Sequence, residues 1–276
     1  MDVRPDEYKT SMCGIAGFSL SSGSSVPRTL AAQALLAGIA ERGGDAVGYA
    51  YRAGDGPIRV TKLRGGATGL LETIGVPASA DTALLHVRDF TKGRPEIESN
   101  NHPIRHASVV GVHNGVIEND DAVLARHRLE RSDPDMTVDS EAIFALMDRV
   151  DHEPRALSEL RGTLAAAWLD ERIPGTLYIA RGSSRPLWIG TCRFGTFFAS
   201  TRRALTMVEA TLEIGLHARP MREGRLIEVA GGSVLRRRRF RPNPAREPDV
   251  AYSPVHSPHE AVSCLERFAT IASAAA

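Results

Sequence analysis

Short apolar runs, separated by glycine, proline or aspartate, recur in both halves of the chain and restrict its fold more than any other feature. Runs of this length with flanking turn residues are typical of β-strands. The predicted strands cover residues 13–20, 46–52, 58–63, 82–87, 108–112, 163–169, 177–180, 187–189, 196–200, 225–229 and 233–236. Apolar residues at helical spacing predict helices over residues 30–41, 122–129 and 140–150. Strands and helices grouped in this way predict an α+β fold built of layers, and not a regular alternation of strand and helix.

The chain of 276 residues is long enough for one large domain or two small ones. We divide it into a leader or mis-assigned start at residues 1–12, a main domain at residues 13–240 and a proline-rich tail at residues 241–276. The prolines of the tail favour an extended linker, and a short terminal helix is predicted over residues 262–275.

Composition excludes several classes of protein. Lys and Arg total 34 and Asp and Glu total 33, so the net charge of +1 argues against nucleic-acid and anionic-membrane partners. Three cysteines are too few for a disulfide framework and favour a reducing compartment. No run approaches the roughly 18 apolar residues of a transmembrane helix, and the polar start lacks the apolar centre of a signal peptide. We therefore expect a cytoplasmic protein.

Cys13 is a candidate nucleophile because it follows Met12 and opens the segment CGIAGF. A cysteine reacts well when a base or a lowered pKa supplies the thiolate. If Cys13 were the first residue, its own α-amino group, with a pKa of about 7.7–8.0, would serve as that base. Taken alone, the alternative that Cys13 is a small buried residue in a strand stays open.

Further motifs follow Cys13 in a fixed order. They are ERGGDAVG at residues 41–48, HVRDFTKG at 86–93, NHP at 101–103, VHNGVIEN at 112–119, DSE at 139–141, LRGT at 160–163, ARG at 180–182, FAS at 198–200 and EG at 223–224. Over residues 13–235 the ordered set resembles the class II glutamine amidotransferases, which are N-terminal-nucleophile hydrolases, and is similar to the glutaminase domain of glucosamine-6-phosphate synthase. The resemblance implies a four-layer αββα sandwich of two antiparallel sheets, and a reaction that needs no metal and no organic cofactor.

The resemblance also assigns roles to the catalytic residues. Cys13 would attack the side-chain amide of glutamine, and its own amine would carry the proton to the departing ammonia. The Asn114 side chain and the Gly115 backbone N–H would form the oxyanion hole. From the residues alone, the HNG sequence at 113–115 favours a turn after a strand.

The same resemblance assigns substrate-binding residues. Arg88 would hold the α-carboxylate of glutamine and Asp139 its α-ammonium group, while Thr91 would contact the substrate or support the loop that carries Arg88. His113 is placed in the substrate-binding set. The alternatives are a surface arginine at a strand end for Arg88 and a helix N-cap for Asp139.

Other candidates have plainer interpretations. Arg42 and Asp45 are expected to position the nucleophile strand. His86, His102 and His106 lack a metal-binding spacing, so we expect loop and supporting roles for them. The four consecutive arginines at residues 236–239 favour a solvated strand face over an RNA or phosphate patch.

Three departures from the family pattern shape the functional prediction. Asp89 and Lys92 stand where the synthase-type motif usually has Trp and His. The tail after residue 240 is too short for an ammonia-accepting domain, which predicts a stand-alone unit. Such a unit would either supply ammonia to a separate synthase subunit or hydrolyse a glutamine-like or γ-glutamyl amide on its own. With residues 1–12 attached, the nitrogen of Cys13 is an amide, so translation starts at Met12, the leader is cleaved, or the protein is inactive.

The predicted reaction is hydrolysis of glutamine to glutamate and ammonia through a γ-glutamyl thioester on Cys13. The alternatives are a γ-glutamyl amide or peptide hydrolase, and a non-catalytic glutamine-binding regulatory module.

Overall fold

The computed structural model describes residues 12–245 and 257–275, which form strands, α-helices and short 3-10 turns. In chain order the strands are β1 (Gly14–Leu20), β2 (Ala46–Ala53), β3 (Arg59–Arg64), β4 (Ala80–Arg88), β5 (Ile104–His106), β6 (Val109–Ile117), β7 (Gly162–Asp170), β8 (Thr176–Arg181), β9 (Trp188–Cys192), β10 (Gly195–Ala199), β11 (His217–Pro220), β12 (Arg225–Ala230) and β13 (Ser233–Arg239). The α-helices are α1 (Arg28–Ile39), α2 (Ala67–Leu71), α3 (Asp120–His127), α4 (Glu141–Arg149), α5 (Arg202–Leu212) and α6 (Pro258–Ala275).

The strands form two antiparallel sheets. The first has the order β11-β9-β10-β1-β4-β2-β3 and the second the order β13-β12-β8-β7-β6-β5. β1 lies in the middle of the first sheet, between β10 and β4, and β6 lies near one edge of the second. Residues near the start of β1 are therefore held on both sides by strand pairing.

Three apolar layers hold the sheets and helices together. Along β1, the side chain of Ile15 packs between the two sheets, whereas those of Ala16 and Phe18 pack against the helices that cover the first sheet. This alternation follows from the two-residue repeat of a strand. Phe18 is completely buried, and burying such a side chain contributes roughly 1.5–3 kcal/mol. A separate cluster joins α4 to the outer face of the second sheet. The predicted four-layer α+β sandwich is confirmed.

Most predicted elements are present with shifted ends, and four helices and strands were not predicted. β6 continues to Ile117 where the sequence predicted an end at residue 112. The unpredicted elements are α2, β5, α5 and β11, of which β5 falls at the end of a segment predicted to be a loop. The sequence did carry a signal for α5, because threonine is a typical N-cap residue and Thr201 directly precedes the helix. In the structure the Thr201 hydroxyl accepts a hydrogen bond from the Ala204 N–H at 3.2 Å.

The hairpin between β12 and β13 turns at two glycines, as predicted. Gly231 and Gly232 have φ angles of +54° and +76°. Both angles lie in the left-handed region that a two-residue hairpin of this kind requires and that glycine adopts without steric cost.

The last described segment is α6, which begins at Pro258, earlier than the predicted residue 262. Its Cys264 and Phe268 are buried in the helical layer over the first sheet. The Ser257 N–H donates to the carbonyl oxygen of Glu41 at 3.0 Å. Residues 1–11 of the predicted leader and residues 246–256 of the predicted linker lie outside the described residues.

Within the described residues, every helix is too short or too polar to cross a lipid bilayer.

Candidate active site

Cys13 and Asn114 are positioned by the two sheets that face each other. Cys13 directly precedes β1, and Asn114 lies on β6 next to His113. His86 on β4 pairs with Ile15, and its ring Nε2 lies 3.0 Å from the carbonyl oxygen of His113. This contact brings the Asn114 end of β6 across from the start of β1.

The Cys13 thiol is partly buried and protonated at neutral pH. Its Sγ donates to the carbonyl oxygen of Asp89 at 3.4 Å. Burial raises the pKa of the Cys13 thiol to about 11, although that hydrogen bond and the positive charges of Arg88 and Arg185 act in the opposite direction. A nearby base is therefore needed to generate the thiolate.

Arg42 and Asp45 support the two segments that meet at Cys13. The Arg42 Nε donates to the carbonyl oxygen of Cys13 at 3.0 Å, and Arg42 is 1% exposed. The Asp45 carboxylate accepts from the Phe90 N–H at 2.9 Å. Arg42 holds the backbone of the candidate nucleophile, and Asp45 holds the loop after β4.

The Asn114 side-chain amide is buried and has no partner in the part of the chain that the structure describes. Its relative exposure is 0%, and neither Oδ1 nor Nδ2 has a hydrogen-bond partner among the described residues. A buried polar group left in this state costs about 1–3 kcal/mol. Buried polar groups without a partner are typical of ligand-binding and catalytic sites.

Gly115 adopts a backbone conformation that other residues avoid. Its φ is +151°, and a Cβ atom there would lie 2.0 Å from the carbonyl oxygen of Thr163. Gly115 pairs with Leu164 inside the β6–β7 ladder, and Asn114 pairs with Ala165. The alternative of a hairpin turn at residues 113–115 is therefore wrong.

Arg88 is a buried organiser of the loop that follows β4. It is 2% exposed, so the alternative of a surface arginine is wrong. Its Nη1 donates to Asn101 Oδ1, and its Nη2 donates to the carbonyl oxygens of Lys92, at 2.9 Å, and Gly93. Thr91 lies on the exposed side of this loop. Carboxylate binding by Arg88 and substrate contact by Thr91 stay predictions.

Asp139 connects the start of α4 to β6. Its Oδ2 accepts from the Ile117 N–H at 2.6 Å, three residues after Asn114. Burial raises the pKa of the Asp139 carboxyl to about 6, and the nearby charge of Asp120 acts in the same direction. The carboxylate is ionised at neutral pH, and a bound cation would stabilise that form.

His113 lies on the face of β6 that packs against α4, opposite to Asn114. Its ring Nδ1 is 2.8 Å from the Ser140 hydroxyl, and its Nε2 is 3.3 Å from the carbonyl oxygen of Thr163. Burial lowers the pKa of His113 to about 3, so the ring is neutral. The neutral ring donates from Nε2 and accepts at Nδ1. In this structure His113 positions β6, and its membership of the substrate-binding set stays a prediction.

His86 and His102 stack on each other between the sheets. Their ring centroids are 4.1 Å apart, and both side chains are buried. Burial lowers the pKa of His86 to about 3 and that of His102 well below its ordinary value. Both rings are therefore neutral. His106 instead contacts Glu141, at 3.0 Å.

Two residues near the site had no predicted role. Arg185 is 2% exposed, and its charge acts on both the Cys13 thiol and His113. Its sequence signal was its position shortly after the ARG motif at residues 180–182. Asn101 lies in the NHP motif, and its amide accepts from Arg88 and donates to the carbonyl oxygen of Pro95 at 2.8 Å.

Lys92, one of the departures from the family pattern, fixes the loop after β4 to α3. Its Nζ lies 2.8 and 2.6 Å from the two carboxylate oxygens of Asp120. Asp120 is 2% exposed and also accepts from Arg131 at 3.0 Å. The loop whose carbonyl oxygens accept hydrogen bonds from Arg88 is therefore held against α3, in the helical layer that covers the second sheet.

The amino-acid sequence of this chain is similar to those of known proteins. The sequence profile of the glutamine amidotransferase domain matches residues 91–207. Glutamine–fructose-6-phosphate aminotransferase of Salmonella typhi is 31% identical over 238 residues, which are 81% of this chain and 36% of the relative. The enzyme of the same name from Halalkalibacterium halodurans is 29% identical over 209 residues, which are 71% of this chain and 33% of the relative. The chain thus spans about a third of the length of these curated relatives.

Solved structures share the fold. The structure of glutamine phosphoribosylpyrophosphate amidotransferase from B. subtilis has a TM-score of 0.64 at 18% identity, covering 82% of this chain and 49% of that one. A structure described as the allosteric regulatory enzyme of purine biosynthesis has a TM-score of 0.65 at 19% identity, with the same coverage. At these identities the likeness establishes the fold alone.

Proposed function

We propose that this chain, which belongs to the class II glutamine amidotransferases, hydrolyses the side-chain amide of glutamine to glutamate and ammonia. The observation that carries the proposal is the Asn114 amide, completely buried and without a partner in the described residues, across from the start of β1. An amide in this position supplies a hydrogen-bond donor where an acyl-transfer reaction develops negative charge. A purely structural asparagine would be expected to use its amide within the fold.

The first half of the reaction forms a thioester. When Cys13 is the first residue, its free α-amino group accepts the thiol proton, and Sγ attacks the side-chain carbonyl carbon of glutamine. The carbonyl oxygen becomes an oxyanion that accepts from Asn114 Nδ2 and the Gly115 N–H. Collapse of this intermediate breaks the C–N bond, and the proton held by the amine passes to the leaving nitrogen, which departs as ammonia.

The second half releases the product. The α-amine, again unprotonated, takes a proton from a water molecule as that water attacks the γ-glutamyl thioester of Cys13. The same two donors stabilise the second oxyanion, and its collapse breaks the C–S bond. Glutamate leaves, the sulfur regains its proton from the amine, and the released ammonia becomes available to a separate acceptor protein or domain.

Substrate binding needs one group for each charge of the amino acid. A buried guanidinium such as Arg88 matches a carboxylate, and an ionised buried carboxylate such as Asp139 matches an ammonium group. Arg88 is the last residue of β4 and directly precedes the loop that contacts Cys13. Asp139 accepts a hydrogen bond from β6 near Asn114. This arrangement supports the binding of glutamine between the two sheets.

One observation favours a second candidate, a glutamine-binding module without catalysis. Met12 is 4% exposed, and its backbone N–H donates to Asp89 Oδ2 at 3.4 Å. The fold thus accommodates the residue that precedes Cys13. In that form Cys13 has no free amine, and its pKa of about 11 leaves the thiol protonated.

The deciding experiment compares two forms of the chain, one beginning at Cys13 and one retaining Met12. We expect the first to release glutamate from glutamine and to take a covalent label from a diazo-ketone glutamine analogue, with Cys13→Ala as the inactive control. We expect the second to bind glutamine without turnover. A Cys13 form that binds glutamine but neither releases glutamate nor takes the label would support the binding module. Faster hydrolysis of a γ-glutamyl peptide than of glutamine would instead support a γ-glutamyl hydrolase.

A further inference from the structure

A cavity of about 570 Å³ lies between β11 and the β12–β13 hairpin, at one edge of the sandwich. Five arginines line it: Arg219, Arg222, Arg225, Arg237 and Arg239. Its remaining surface includes Ile189 and Ile227, whose side chains belong to the apolar core between the sheets. The cavity uses none of the residues assigned to glutamine, so it is a separate feature of the molecule.

Strand register concentrates the guanidinium groups on one face. In the β12–β13 pair, Arg225 lies directly opposite Arg239 and Ile227 lies directly opposite Arg237. Because side chains paired across strands share a face, these arginines lie on the same side as the buried Ile227. Like charges placed directly opposite each other destabilise a sheet, which favours an anion between them.

The other face of β13 is different. Arg238, between Arg237 and Arg239, donates to Glu153 Oε2 at 2.6 Å, and Arg236 lies opposite Glu228. The run of arginines at residues 236–239 is thus divided by the strand into two faces, one with acidic neighbours and one that lines the cavity. The sequence pattern had favoured a solvated face for all four.

Within the described residues, no acidic side chain pairs with the arginines that line the cavity. In the parts of the chain that the structure describes, no carboxylate lies within 4 Å of the five lining guanidinium groups. Glu223, in the same loop as Arg222, lies 3.5 Å from Arg181 and accepts from the Ser184 N–H at 2.9 Å. Five positive charges converge here in a chain whose net charge is only +1.

We propose that this cavity binds a small organic molecule that carries two or more phosphate groups. Planar guanidinium groups bind phosphate oxygens in pairs, and several of them around one cavity suit a ligand with several negative charges. The volume lies within the roughly 300–1,000 Å³ of small-molecule sites. The apolar floor at Ile189 and Ile227 provides a surface for the organic part of the ligand.

The test uses the whole chain with two probes, inorganic pyrophosphate and ATP, titrated by calorimetry at constant ionic strength without metal ions. We expect saturable binding of both, with ATP binding more tightly because its organic part reaches the apolar floor. Arg237→Gln combined with Arg239→Gln should weaken ATP binding about tenfold or more. The matched control is Arg236→Gln, one position away on the opposite face of the same exposed strand, which should bind like the wild type.

A second variant, Arg219→Gln, changes the opposite wall of the cavity, so its result does not depend on the folding of the hairpin. It should also lower the affinity for both probes. The wild type failing to bind ATP saturably, or the double variant binding it as tightly as Arg236→Gln does, would overturn the proposal. So would tighter binding of a polyglutamate peptide than of ATP, because that result would indicate an acidic protein segment as the natural ligand. None of these outcomes depends on glutamine hydrolysis.

Discussion

The ring Nε2 of His86 donates to the carbonyl oxygen of His113 at 3.0 Å, and this bond joins the two sheets beside the candidate active site. The two residues are 27 positions apart in the chain. His86 pairs with Ile15 in the first sheet, and His113 precedes Asn114 in the second. The bond therefore sets the distance between the strand that carries the candidate nucleophile and the strand that carries the candidate oxyanion donors.

Replacing His86 should destabilise the protein substantially. His86→Ala removes a completely buried ring and leaves the His113 carbonyl without its donor, so we expect the free energy of unfolding to fall by about 2–4 kcal/mol. Urea denaturation measures this quantity. His217→Ala, at an exposed position of an edge strand, is the control and should change it by less than about 0.5 kcal/mol. Equal stability of the two variants would contradict the structural role of His86.

Replacing Asn114 should reduce activity without reducing stability. Asn114→Ala removes an oxyanion donor, so kcat should fall by about 10²–10³ with little change in KM. The same change removes a buried amide that has no partner within the described residues, so the unliganded protein should be at least as stable as the wild type.

Asn101→Ala is the contrasting change, because the Asn101 amide is bonded to both Arg88 and Pro95. We expect it to lower the free energy of unfolding by about 1–3 kcal/mol. Thermal unfolding and steady-state kinetics of both variants distinguish the two roles, and a strongly destabilised Asn114→Ala would contradict ours.

Glutamine binding should strengthen as the pH rises through about 6. The raised pKa of Asp139 means that its carboxyl becomes an anion only above about pH 6, and the anion is the form that binds an ammonium group. Below that pH, affinity should fall about tenfold per pH unit. Calorimetric titration of Cys13→Ala between pH 5 and 7.5 is the measurement. Asp139→Asn should bind weakly with no such pH dependence, and an unchanged pH profile in that variant would rule out Asp139 as the titrating group.

Removing the Lys92 ammonium should loosen the loop after β4. Lys92→Met breaks its contact with Asp120 but leaves the backbone carbonyl that Arg88 uses. Because the Lys92 side chain is 39% exposed, we expect a cost of about 1 kcal/mol, seen as a KM for glutamine raised about fivefold with kcat nearly unchanged. Arg94→Met, exposed on the same loop, is the control. A change in kcat alone would contradict a positioning role.

The charge of Arg185 should make the Cys13 thiol more reactive. Arg185→Gln removes a positive charge that lowers the pKa of the thiol, so the thiolate fraction at a given pH should fall. The rate of alkylation by iodoacetamide at pH 8 measures this fraction. Arg193→Gln, an exposed arginine, should react as the wild type does. Identical alkylation rates for the two variants would show that Arg185 does not act on the thiol.

Local patterns in the sequence were sufficient for much of the fold and for the identity of the candidate residues. Strand runs such as the one that begins at Cys13 are short-range features, and the glycines of the β12–β13 turn specify a hairpin by their own conformational freedom. Motifs around Arg88, Asn114 and Asp139 could likewise be read in order along the chain. The α5 helix was missed although its Thr201 cap was visible in the sequence.

Other properties were decided only by the tertiary structure, because they depend on residues far apart in the chain. The burial that raises the pKa of Cys13, the absence of a described partner for the Asn114 amide, and the ion pair of Lys92 with Asp120 all arise where separate strands and helices pack together. The division of the arginine run into two faces follows from pairing with β12. The chemical identity of a side chain is a property of a single residue, so the candidate groups could be identified from the sequence. Desolvation and the proximity of charges depend on how the fold packs, so only the tertiary structure determined the environment of those groups.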